Sequence, residues 1–302
     1  MKRTRLMALV TAVVVLLPAW LLAREIPAVV STEWLEKNLA DPKLVVIDIR
    51  KVEEFKKEHI PGARNAFFNS WVAKKGDLTN QLPEKDDLAD LIAGLGIDAG
   101  SRVVVVGEAD NTTEQSSNTR VAWTLKVAGV ENVALLDGAW DKWAKEKRPA
   151  SAEATPVKGV EFKPKWRDRI LVDKGYVTAV VEKKNRSLAD IRPPEMFFGV
   201  AKAPVVERAG HVPGAVNLPP DWVFTKEGTF KEKAEIEKIA AGVVGADRAK
   251  AITTYCNTGI YASLGWFVLS EMLGYSDVNL YDGSMQEWTK DPKAPLAAYT
   301  WK

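Results

Sequence analysis

The sequence predicts an α/β fold made of two tandem copies of one domain, each a mainly parallel sheet flanked by helices on both faces. The first observation behind this is an internal repeat. Leu44-Val-Val-Ile-Asp-Ile-Arg50, His59-Ile-Pro-Gly-Ala63 and Val133-Ala-Leu-Leu-Asp-Gly138 occur in the first half, with Trp143 after them. They return in the same order as Ser187-Leu-Ala-Asp-Ile-Arg192, His211-Val-Pro-Gly-Ala215 and Val278-Asn-Leu-Tyr-Asp-Gly283, followed by Trp288. The chain has only 2 histidines, and both head the same repeated pentapeptide, which chance rarely produces. The second observation is an alternation of short β-branched runs with helical periodicity, the pattern of a parallel sheet covered by helices.

Taken in chain order, Val45 to Ile49 and Arg102 to Gly107 read as strands buried on both faces, because they are apolar throughout and not alternately. Residues 251–256, Ala-Ile-Thr-Thr-Tyr-Cys, hold the corresponding place in the second copy. Thr32 to Ala40, Asp87 to Leu95, Ala122 to Ala128 and Glu232 to Val243 carry apolar residues at helical spacing. So does Leu264 to Gly274, which closes on a glycine, a common helix stop. The predicted division is 1–25 as a signal peptide or anchor, 26–148 and 169–302 as the two domains, and 149–168 as a linker rich in Pro, Ala, Lys and Glu.

With 302 residues, each domain can bury a core of ordinary size. Lys plus Arg number 42 against 40 Asp plus Glu, spread along the chain, so no basic stripe for nucleic acid exists. The 11 tryptophans read as core and helix-face packing. The N-terminus differs from the rest: Lys2, Arg3 and Arg5 precede an apolar run from Leu6 to Ala23. A positive stretch followed by an apolar one reads as an export signal, and the run is near the length that spans a bilayer if it stays uncleaved. The expected location is the periplasm, with membrane contact only through this segment.

Cys256 is the only cysteine. It cannot form an internal disulfide, and by count alone it reads as a small buried hydrophobe. Its surroundings say otherwise. Cys256-Asn257-Thr258-Gly259-Ile260-Tyr261-Ala262 ends a strand and leads straight into a helix. In open parallel sheets, ligands bind beyond the carboxyl ends of the strands. Gly259 allows the chain to curl around the sulfur, and free amides of the turn and helix start then face it. Such a setting is expected to lower the thiol pKa below the roughly 8.5 of a free cysteine.

The pattern Cys-x-x-Gly-x-x-Ala at Cys256, Gly259 and Ala262, with the flanking strand and helix and the two His-Pro-Gly-Ala segments, resembles the tandem-domain rhodanese sulfurtransferases from about Val29 to Trp288. The resemblance implies that Cys256 is catalytic, cycling through a persulfide between a sulfur donor and an acceptor. It implies a binding loop of Asn257, Thr258, Gly259, Ile260, Tyr261 and Ala262, and loop support from Asp190, Arg192 and His211. The donor would be thiosulfate, mercaptopyruvate or another sulfane compound, and the acceptor a thiol, cyanide or a protein. Asp48, Arg50 and His59 are the first-domain copies, and Glu108 to Arg120 is the equivalent loop, polar and without a thiol. No cofactor or metal is implied. Two departures from the family pattern bear on the donor. The loop side chains are uncharged, and Pro193 to Phe198 holds no arginine, leaving Arg208 and Lys202 as the nearby cations in sequence.

A phosphatase of the related Cys-x5-Arg type needs an arginine where Ala262 stands, and two histidines plus one cysteine do not make a metal-ligand set. The rival reading is a non-enzymatic exported module that binds a partner or carries sulfur or a soft metal ion.

Overall fold

The computed structural model describes residues 24–299, so the predicted signal or anchor lies almost wholly outside the described residues. Among the described residues no helix is long and apolar enough to cross a membrane.

The first repeat runs β1 (Val29–Val30), α1 (Thr32–Asn38), β2 (Leu44–Asp48), α2 (Val52–Lys57), β3 (Arg64–Asn65), β4 (Ala73–Lys75), β5 (Leu78–Gln81), α3 (Lys85–Gly94), β6 (Arg102–Val106), α4 (Thr112–Val127), β7 (Asn132–Leu136) and α5 (Ala139–Lys145). The second runs β8 (Leu171–Val172), α6 (Lys174–Lys183), β9 (Ser187–Asp190), α7 (Pro194–Phe197), β10 (Val216–Asn217), α8 (Lys233–Val244), β11 (Ile252–Tyr255), α9 (Ile260–Trp266), β12 (Val278–Tyr281) and α10 (Ser284–Lys290). All pairings in the two large sheets are parallel. Their orders, β1-β7-β6-β2-β3 and β8-β12-β11-β9-β10, are the same order with matching strands.

Side chains alternate along a strand, so each strand feeds two cores. In β6, Val104 and Val106 join Leu35 and Trp143 in an outer core under α1 and α5. Val103 and Val105 point the other way, into a core shared by both repeats and filled by Trp123, Leu264, Trp266 and Phe267. The second repeat has its own outer core, where Tyr255, Tyr281 and Trp288 pack on Val177 and Val180. The two indole N–H groups that close the outer cores do so alike: Trp143 donates to Pro149 O and Trp288 to Pro295 O, both at 2.9 Å.

Helix α4 corrects the sequence reading. It begins at Thr112, ten residues before the periodic stretch Ala122 to Ala128, so most of the segment taken as a polar loop is helix. Its N-cap Asn111 accepts from Thr113 N–H and Glu114 N–H, as an N-terminus requires. Gln115, Ser116, Asn118, Thr119 and Arg120 are polar yet buried, because α4 lies between the two repeats and packs on α9. Buried polar groups must find partners, and several here find them across the repeat boundary. The helix after Cys256 also departs from uniform α geometry: α9 passes into a π-helical stretch at Phe267–Met272 before Gly274 turns the chain with φ +76°.

The repeats also exchange hairpins. Leu82, just after the β4–β5 hairpin, donates its N–H to Asp282 Oδ2 at 2.7 Å. Phe230, from the matching hairpin of the second repeat, donates its N–H to Asp137 Oδ1 at 2.9 Å. Asp137 and Asp282 are the aspartates of the repeated Asp-Gly.

Candidate functional site

Cys256 follows β11, the central strand of its sheet, and is 2% exposed. Its backbone is pinned at both ends. Cys256 N–H donates to Ser284 Oγ at 3.1 Å, and Cys256 O accepts from Met285 N–H at 3.0 Å. Asn257 O accepts from Gln286 N–H at 2.9 Å, so the start of α10 holds the loop by its free amides. Gly259 takes φ +88° and ψ −16°, the left-handed region that a side chain disfavours. Its pro-side-chain direction is also blocked: a Cβ there would lie 2.6 Å from Asp282 Oδ1 and 2.8 Å from Arg120 Nη1.

The expected convergence of amides has support, since the N–H groups of Ala262, Thr258 and Gly259 face the sulfur and favour its charge. The expected direction of the pKa has none. Burial pushes the Cys256 thiol up from its ordinary value, outweighing these amides, and the negative Asp190 adds to the rise. Enclosure made by residues far away in sequence decides the matter, which loop spacing alone cannot show. Iodoacetamide should alkylate Cys256 slowly at neutral pH, with a midpoint above the roughly 8.5 of a free cysteine, because the thiolate appears only as pH climbs through the raised value. A midpoint at or below that of a free cysteine would show the amides prevailing over burial.

Asp190 and Arg192, at the end of the strand next to the one that leads into Cys256, form a buried bidentate pair. Arg192 Nε reaches both carboxylate oxygens and Nη2 bonds Asp190 Oδ2 at 2.6 Å and Gly210 O at 2.8 Å. Both side chains are fully buried. Arg192 Nη1 has no partner among the described residues. Burial acts against the guanidinium, but Asp190, Tyr255 and Cys256 outweigh it and hold its pKa up. Asn217, absent from the sequence reading, ties the pair down by donating to Asp190 O and Arg192 O at 3.0 and 2.8 Å.

His211 stands further off, stacked on Phe197 with ring centroids 3.8 Å apart. Burial lowers its pKa, and its Nδ1 donates to Phe197 O at 2.8 Å, the bonding of a turn residue. His59 repeats this with Phe55 in the first repeat. Asn257 donates to Met196 Sδ at 3.4 Å, while its Oδ1 is buried without a partner among the described residues. Ile260 is buried, and Tyr261 OH bonds Thr113 Oγ1 at 2.7 Å. Arg208 and Lys202 do not serve the loop: Arg208 is bound to Thr289 O, Asp291 O and Ala294 O, and Lys202 to Val206 O.

The first repeat has the same frame without the chemistry. Val106 pairs Asp48 as Tyr255 pairs Asp190, so Gly107 occupies the place of Cys256. Gly107 O accepts from Trp140 N–H at 3.0 Å, the counterpart of Cys256 O and Met285. A Cβ on Gly107 would lie 2.3 Å from Asn118 Oδ1 and 2.9 Å from Ile49 Cγ1, so a side chain there would have to displace Asn118 and Ile49.

Comparisons with known proteins agree with this architecture. The model of the rhodanese-like domain matches residues 31–146 and again 174–291. A candidate thiosulfate sulfurtransferase of Mycolicibacterium smegmatis is 32% identical over 276 residues, covering 88% of this chain and 96% of that protein. The sulfur carrier protein TtuD of Thermus thermophilus is 30% identical over 282 residues, covering 89% and 95%. Among solved structures, an anaerobic ergothioneine biosynthesis enzyme from Chlorobium limicola shares the fold, with a TM-score of 0.78 at 23% identity over 90% of this chain and 70% of that one. A doubled sheet with one thiol at a strand end, matched twice by the same domain model, thus places the chain in the rhodanese-like family of sulfurtransferases, as a member with two tandem domains.

Proposed function

We propose that the protein moves sulfane sulfur from a donor to a thiophilic acceptor through a persulfide on Cys256. The observation that carries this reading is the set of three amides, from Ala262, Thr258 and Gly259, aimed at the only thiol of the chain. With thiosulfate as donor, the Cys256 thiolate attacks the outer sulfur, the S–S bond of the donor breaks, and sulfite leaves with its electron pair. An acceptor such as cyanide then attacks the terminal sulfur, and Cys256 leaves as thiolate. The amides that offset part of the burial penalty on the thiolate would serve the persulfide anion in the same way. Unpaired Arg192 Nη1 supplies a positive charge beside the sulfur that the loop itself lacks.

Incubation with thiosulfate, mercaptopyruvate or polysulfide is expected to add one sulfur atom in intact-mass spectrometry. Cys256→Ser should abolish both that gain and cyanide-dependent thiocyanate release. If the wild type takes sulfur from none of the three donors, the transfer reading is wrong. Turnover that is fast with a protein acceptor and slow with cyanide would favour a sulfur carrier, the role named for the Thermus relative.

The charged start and apolar run of residues 2–23 support export of the domains across the cytoplasmic membrane. Fractionation of cells making the full chain should find it in the periplasm or on the membrane, and a chain lacking residues 1–23 in the cytoplasm. Equal cytoplasmic recovery of both would remove this part of the reading.

A further inference from the structure

Part of the fastening of the Cys256 loop and of the helix that follows it comes from the repeat that has no thiol. Asn80 Nδ2 donates to Thr258 Oγ1 at 3.1 Å, Thr113 Oγ1 meets Tyr261 OH at 2.7 Å, and Thr119 Oγ1 meets Ser263 Oγ at 2.9 Å. Arg120, on the same helix as Thr113 and Thr119, reaches the neighbourhood of the loop through Asp282. Its side chain is fully buried, lies over the Trp123 ring at 4.6 Å, and donates through Nη1 to Asp282 Oδ1 at 2.6 Å. Its Nε and Nη2 have no partner among the described residues.

The pair forms the wall behind Gly259. Asp282 Oδ1 and Arg120 Nη1 both come within 3 Å of the point a Cβ would occupy, so the pair packs directly against Gly259. The amide of Gly259 is one of the three that face Cys256. The arrangement is one-sided. Asp137 accepts the hairpin amide of Phe230 just as Asp282 accepts that of Leu82, but no guanidinium among the described residues is bonded to it, and burial pushes its pKa up. An ion pair of this kind adds little net stability over an apolar pair of like shape, so stability alone does not account for its presence on the thiol side only.

We propose that Arg120 is a positioning residue of the sulfur-transfer site, acting through Asp282 to hold Gly259 and its amide against the Cys256 sulfur. The first repeat is then half of the active site and not an idle copy. This rests on the reading of Cys256 as the persulfide residue.

The test compares wild type, Arg120→Met, and Arg120→Met with Asp282→Asn, by melting temperature, by the pH profile of Cys256 alkylation and by the rate of sulfur loading from thiosulfate. The double variant, which leaves no unpaired charge, should recover the melting temperature. Its loading rate should stay about tenfold to a hundredfold below wild type, the scale of a misplaced catalytic group, and its alkylation midpoint should move upward. Wild-type loading and an unmoved midpoint in the double variant would overturn the proposal and leave Arg120 a structural ion pair. If the wild type itself loads from no donor, the transfer reading falls, and the alkylation profile still decides whether Arg120 sets the loop.

Discussion

Gly259→Ala is expected to reduce sulfur loading of Cys256 by at least about a hundredfold while the rest of the fold survives. Two independent penalties meet at this position. The backbone sits at φ +88°, where a Cβ costs about 1–2 kcal/mol. The added methyl must also displace Asp282 Oδ1 from 2.6 Å and Arg120 Nη1 from 2.8 Å, and overpacking of this kind costs about 1–3 kcal/mol. Relief comes most readily from the loop itself, which would swing its amides off the sulfur. The expected signature is therefore a modest fall in melting temperature with a disproportionate loss of loading. Gly214, also at positive φ but with open space around it, is the matched control, since alanine there meets the backbone penalty alone. Equal loading by the two alanine variants would show that Gly259 is needed only for its turn.

Arg192→Met is expected to destabilise the protein by about 3–5 kcal/mol, because it leaves the fully buried Asp190 carboxylate without its counter-charge. Function should suffer beyond stability, since Arg192 is the cation beside Cys256 and a lone Asp190 raises the thiol further. The first repeat provides the comparison. Arg50→Met breaks the equally buried Asp48–Arg50 pair, whose Nη2–Oδ2 distance is also 2.6 Å, at a site with no thiol. Similar unfolding midpoints with sulfur loading lost only in Arg192→Met would separate the two roles. Loss of loading in step with the folded fraction in both variants would make Arg192 purely structural.

The repeat, the parallel sheets and the strand that ends at Cys256 were legible because each rests on local sequence. Val103 to Val106 is apolar on both faces, and the paired His-Pro-Gly-Ala segments mark equivalent turns. What was illegible depends on contact between the halves. Thr112 to Arg120 carries no apolar stripe, so nothing in its periodicity announces a buried helix; its polar residues are stable there only because Ser263, Tyr261, Gly228 and Asp282 receive them. The missing positive charge near the loop was sought at Lys202 and Arg208, which the structure binds elsewhere. Arg192 is the cation with an Nη1 that has no partner among the described residues, while Arg120, far earlier in the chain, comes to the loop's surroundings paired with Asp282. The pKa direction failed for the same reason, since local geometry gives the amides and the tertiary fold gives the burial.

The exchanged hairpins carry a historical consequence. Leu82 with Asp282 and Phe230 with Asp137 are one contact written twice with the partners reversed, which is what a two-fold axis produces. A single-repeat ancestor pairing with an identical copy would bury these same surfaces, so the present chain has the form of a fused homodimer. In such an ancestor both thiol sites would be equivalent. In the fused chain the two sites need not stay alike, and Gly107 stands in the first repeat where Cys256 stands in the second.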